Sequence, residues 1–95
     1  MSSKRDEYTK QMKDSLDDLN RNIDALEAKA HEAKEDAKEM YKAELKKLRA
    51  QSTTASNKLA ELKSATEESW DNMVAEMEKI QAAFVHSYNY FKSQL

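Results

Sequence analysis

The chain contains neither glycine nor proline in 95 residues. A chain of average usage would carry roughly 7 Gly and 5 Pro at this length. Glycine takes positive φ without steric cost, and proline pre-sets the first corner of a tight turn. A chain lacking both is poor material for hairpin-rich sandwiches and barrels. Phosphate-binding loops built on spaced glycines are excluded outright. Cysteine is absent too, which excludes disulfides, CxxC redox motifs and cysteine zinc sites. Helix is what remains.

The apolar residues recur at helical spacing. Met12, Leu16, Leu19, Ile23, Leu26, Ala30, Ala33, Ala37 and Met40 alternate steps of four and three, which is a heptad a/d seam. After Ala37 the stripe shifts to Tyr41, Leu45, Leu48, Ser52, Ala55, Leu59, Leu62 and Thr66. Successive steps of four at 37–45, and again at 62–70, are stutters that locally unwind a left-handed supercoil. The last stripe is Trp70, Met73, Met77, Ile80, Phe84, Tyr88, Phe91 and Leu95, widened by Val74 and Val85.

Charge divides the chain. The first fifty residues carry 12 Lys/Arg and 12 Asp/Glu; the remainder carry 4 and 6. Pairs such as Asp17–Arg21 and Glu35–Lys38 sit at i,i+4 and i,i+3, where each is worth about 0.2–0.5 kcal/mol in an isolated helix. Five of the seven aromatic residues lie in the second part: Trp70, Phe84, Tyr88, Tyr90 and Phe91. The expected organisation is a long charged helix over 1–63 and an aromatic-rich amphipathic helix over 64–95. The fold class is all-α, extended and coiled-coil-like, with a helical hairpin as an alternative. Two segments could bend: the uncharged stretch 51–57, and Ser64-Ala65-Thr66-Glu67, which matches the capping box S-x-x-E.

A helix from Ser3 to Lys63 would be about 90 Å long. Its seam needs a cover, and a C-terminal helix spans only about half of it. Self-association or docking on a larger protein complex is therefore expected. The candidate interface is Leu16, Leu19, Ile23, Leu26, Leu45, Leu48, Leu59, Leu62, Trp70, Met73, Met77, Ile80, Phe84, Tyr88 and Phe91. Packing of the C-terminal stripe back onto the first helix competes with an exposed partner surface.

Chemistry-bearing constellations are sparse. His31 has Glu27 and Glu35 four residues to either side, but Ala28 and Ala83 stand where Glu-x-x-His metal motifs need glutamate before His31 and His86. A solvated charged face is the expected role of His31, and His86 reads as an interface or surface histidine. Ser52, Thr53 and Thr54 have no neighbouring base. A thin helical rod offers no pocket of useful size. No catalytic residue, metal or cofactor is expected, and the protein reads as non-enzymatic. Net charge is −2, so no global field favours nucleic acid. Lys42, Lys46, Lys47 and Arg49 form a short basic run, but Glu39 and Glu44 make it a mixed-charge face. A lipid surface is the weaker alternative for the C-terminal helix, because its polar face is acidic at Glu67, Glu68, Asp71, Glu76 and Glu78. The opening residues run into no apolar stretch, and Ser2 stands where myristoylation needs glycine. The expected compartment is the cytoplasm.

The opening MSSKRDEY (1–8), the run LDDLNRNIDALEAKAHEAKEDAKEMYKAELKKLRAQ (16–51) and the stretch KLAELKSATEESWDNM (58–73) together resemble small bacterial coiled-coil stress-response proteins. Those relatives often carry Ser-Gly at the break, where this chain has Ser64-Ala65-Thr66. The resemblance implies a bacterial, stress-linked, non-enzymatic role and transfers no site residue.

Overall fold

The computed structural model describes residues 2–95, with side chains from Lys4 onward. Met1, in the opening octapeptide, lies outside them. Three helices follow in order: α1 (Ser2–Ala30), α2 (Glu35–Lys63) and α3 (Glu67–Gln94). Among the described residues there is no strand. Each helix returns alongside the one before it. Consequently α1 and α3 run parallel, and α2 runs antiparallel between them. The bundle measures 52 × 18 × 17 Å. Its radius of gyration is 15.5 Å, against about 12 Å for a compact chain of this length.

The all-α class and the extended shape are as the sequence predicts. The long helix over residues 3–63 is not: it is interrupted at 31–34. His31 N–H still bonds the Glu27 carbonyl, and the N–H groups of Glu32 and Ala33 tighten onto Lys29 and Ala30. Lys34 then turns extended, at φ −65° and ψ 152°. A turn here lets α2 fold back, so that Leu16, Leu19, Ile23 and Leu26 are covered by Leu48, Ala55, Leu59 and Leu62 of the same chain. Burial at about 25 cal/mol per Å2 rewards that closure far more than the few helical hydrogen bonds lost at the turn.

The stretch 51–57 is helical. Thr53 and Thr54 donate their hydroxyls to the carbonyls of Arg49 and Ala50, four residues back. That pattern satisfies polar side chains inside a helix, and Ala55 and Leu59 beside them are buried. The second turn falls at Ser64–Thr66. Its cap is not Ser64 with Glu67: Thr66 Oγ1 accepts from the Ser69 N–H at 3.2 Å, and Ser69 Oγ accepts from the Thr66 N–H at 3.1 Å. Ser64 instead ends α2, its N–H bonded to carbonyls of the last turn. Ala65 between them is buried.

The two turns differ in how they are made. The second has a reciprocal side-chain cap, whereas Lys34 caps α2 with no side-chain hydrogen bond. A cap is worth about 0.5–2 kcal/mol. Among the described residues none has positive φ, so both turns are built without the left-handed conformation that calls for glycine.

Candidate interaction surface

All fifteen candidate interface residues fall into one cluster within a single chain. Leu16, Leu19, Ile23, Leu26, Leu48, Leu59, Leu62, Met77, Phe84 and Phe91 are buried, and Leu45, Trp70, Met73, Ile80 and Tyr88 pack against them half-covered. The helical period brings them there. Met77, Phe84 and Phe91 are spaced by seven and form the centre line of α3. Ile23, Leu48 and Leu62 meet them from the other two helices, all fully covered. The seam expected to need a second molecule is thus largely closed by the chain itself.

Polar pairs hold the helices in register. Arg49 Nη2 donates to Asp24 Oδ1 at 2.6 Å and to Glu27 Oε1 at 3.0 Å. The hydrogen bonds to Asp24 and then Glu27 hold the guanidinium above its ordinary range. Ser52 donates to Asn20 at 2.8 Å. Lys58 of α2 reaches Glu76 of α3, and the hydrogen bond to Lys58 holds the Glu76 carboxyl below the usual carboxylate range. Between α1 and α3, Gln81 Nε2 donates to Ser15 Oγ at 3.0 Å. From sequence, Arg49 reads as part of a mixed-charge surface face. Its pairing with α1 becomes visible only once the first turn is placed.

Aromatic residues close both ends. At one end Tyr8 and Trp70 meet edge to face at 5.8 Å, with the Arg5 guanidinium 5.0 Å from the Trp70 ring. Tyr8 was not among the candidates; its spacing to Met12 was the available signal. Burial, with Glu78 adding to it, pushes the Tyr8 hydroxyl above its usual value, and that oxygen is buried without a hydrogen-bond partner.

Clefts open at both turns, one of about 530 Å3 beside Ser64–Thr66 and two smaller ones beside the first turn. Ala30, Ala33 and Ala37 bring little volume to the first turn, and a cleft of about 230 Å3 lies there, lined in part by Ala30, Tyr41 and Leu45. His31, Glu27 and Glu35 stand at its rim, with Glu27 already engaged by Arg49. Among the described residues no group of three or more His, Cys, Asp or Glu side chains is placed to hold a metal ion. Met40, the last position of the first heptad seam, is 56% exposed, and Tyr90 is 54% exposed. Among the described residues no helix is long and apolar enough to cross a membrane. Comparison of the chain with protein-family models, with curated proteins and with solved structures finds no match in any of the three.

Proposed function

We propose that this chain is a non-enzymatic helical interaction protein that works by associating with itself or with a larger protein complex, in the stress-linked setting that its sequence resembles. One observation carries the reading. Nine large apolar side chains flank the core only partly covered: Tyr8, Tyr41, Leu45, Trp70, Met73, Val74, Ile80, Val85 and Tyr88. The apolar stripes are wider than three helices can cover, and aromatic and methionine side chains of this kind are enriched where proteins meet. Sedimentation of the native chain over a wide concentration range tests the self-association arm, and affinity capture with mass spectrometry tests the other. A sharp monomer at every concentration, with no specific partner captured, would sink the reading.

A second reading is reversible binding to a lipid surface. Six of the nine half-covered side chains belong to α3, the helix with the fewest charges. Trp70 is the chain's only tryptophan, so its emission reports directly. A blue shift on adding phospholipid vesicles favours lipid, and an unchanged spectrum favours protein assembly.

A further inference from the structure

We propose that the α1–α2 hairpin opens at residues 31–34 into one continuous helix and closes again on a second copy of this chain, α1 of each copy packing on α2 and α3 of the other. The proposal rests on the self-association reading and names its partner and its geometry.

The first turn is weakly held. Lys34 offers no side-chain cap, and His31, Glu32 and Ala33 still bond back toward α1 as a helix end does. No residue of the turn has positive φ. Alanine, glutamate and lysine are strong helix formers, so straightening this segment meets no resistance from its own residues. The second turn is different. Its Thr66–Ser69 cap is reciprocal and Ala65 is buried, so α3 stays with α2.

The heptad seam runs straight through the first turn. Leu26, Ala30, Ala33, Ala37 and Met40 keep alternating steps of four and three, as if the helix did not stop. In the closed chain the positions beyond the turn go partly unused: Ala33 and Ala37 are half-covered and Met40 is 56% exposed. A seam that continues where the fold does not is the mark of a second arrangement.

Register supplies the fit. The pairs Asn20–Ser52 and Asp24–Arg49 set how α1 opposes α2. Each step forward on one helix is a step back on the other. Carried to the turn, the register of Asp24–Arg49 between two copies sets Met40 opposite Ala33, a long side chain against a small one. Every α1–α2 contact of the closed chain is remade between copies, so the two forms differ only at the hinge and in the covering of Met40. Exchange of an identical element through a short hinge is a low-cost route to a dimer.

The test uses the full chain with Asn20→Cys and Ser52→Cys, in a sequence that has no other cysteine. The chain is held at micromolar and at millimolar concentration, fractionated by size, and cross-linked with a short bismaleimide. The monomer fraction should cross-link within one chain and the dimer fraction between two, giving a dimer-sized band under denaturing conditions. Lys34→Asp with Ala33→Gly, which caps and bends the turn, should reduce the dimer about tenfold or more. Met40→Glu should weaken it similarly by setting like charges near the two-fold axis, while leaving monomer melting unchanged. A dimer whose cross-links stay within chains would overturn the exchange and leave self-association standing. Absence of any dimer at millimolar concentration would overturn both.

Discussion

The ring of Tyr41 meets that of Phe91 edge to face, centroids 5.7 Å apart and planes at 70°, and the Tyr41 hydroxyl donates to the Gln94 carbonyl at 3.0 Å. One side chain near the start of α2 therefore ties down the last turn of α3. Tyr41→Phe keeps the ring contact and loses a hydrogen bond worth about 0.5–1.5 kcal/mol. Amide exchange at residues 91–94 should speed up while the centre of α3 is unaffected. Tyr41→Ala should extend that fraying further into α3.

Phe84 is fully covered at the middle of α3. Phe84→Ala should cost about 3–5 kcal/mol. A domain of this size has a total stability of about 5–15 kcal/mol, so the loss is a large share of it. Thermal melting followed by far-ultraviolet circular dichroism measures the drop. An unchanged midpoint would mean that α3 is not docked in solution.

Tyr8 gives the opposite sign. Its hydroxyl is buried without a partner, and an unsatisfied buried polar group costs about 1–3 kcal/mol. Tyr8→Phe keeps the contact with Trp70 and removes the oxygen. The urea midpoint should rise, and a fall would show that the hydroxyl finds a partner in solution.

The two turns predict unequal responses. Thr66→Ala removes half of a reciprocal cap and should destabilise by about 0.5–2 kcal/mol. Lys34→Ala removes no cap bond and should be close to neutral in urea titrations. Equal losses at the two positions would show that the first turn is held by something other than packing around it.

Acid should weaken the α2–α3 contact. The Glu76 carboxyl is held below its ordinary 4.5, first by the hydrogen bond from Lys58. A depressed carboxyl stabilises the fold above 4.5. That contribution fades as pH falls through the still lower folded value. Glu76 is exposed and Lys58 only half-buried, so the effect is small and salt-sensitive. Urea midpoints of wild type and Glu76→Gln should differ at neutral pH and converge in acid.

Helix identity and the buried stripes were legible because period and propensity agree from Met12 to Phe91. The position of the first turn was not. His31-Glu32-Ala33-Lys34 has the composition of a helix interior, and the seam passes through it unbroken. What places the bend is the cover that α2 gives to Leu16, Ile23 and Leu26, a balance over the whole chain that no local residue announces. The second turn was legible in place but not in detail, since Ser64-x-x-Glu67 and Thr66-x-x-Ser69 are overlapping cap patterns and Ser64 is taken up as the end of α2. The fifteen apolar positions were legible as a seam, but a stripe looks the same whether its cover comes from its own chain or from another. The Arg49 pairing with Asp24 and Glu27 spans the turn, so it could not be read before the turn was known.

Because α2 lies antiparallel between α1 and α3, nearly all of the bundle's packing joins helices that are neighbours along the chain. Little loop-closure entropy has to be overcome before contacts form, which is the topology of fast-folding helical proteins. During synthesis the first hairpin can close as soon as α2 has left the ribosome, before α3 exists. Speed therefore favours the self-contained chain, and an exchange of α1 between two copies must be reached later, by slow reopening of a molecule that has already folded once.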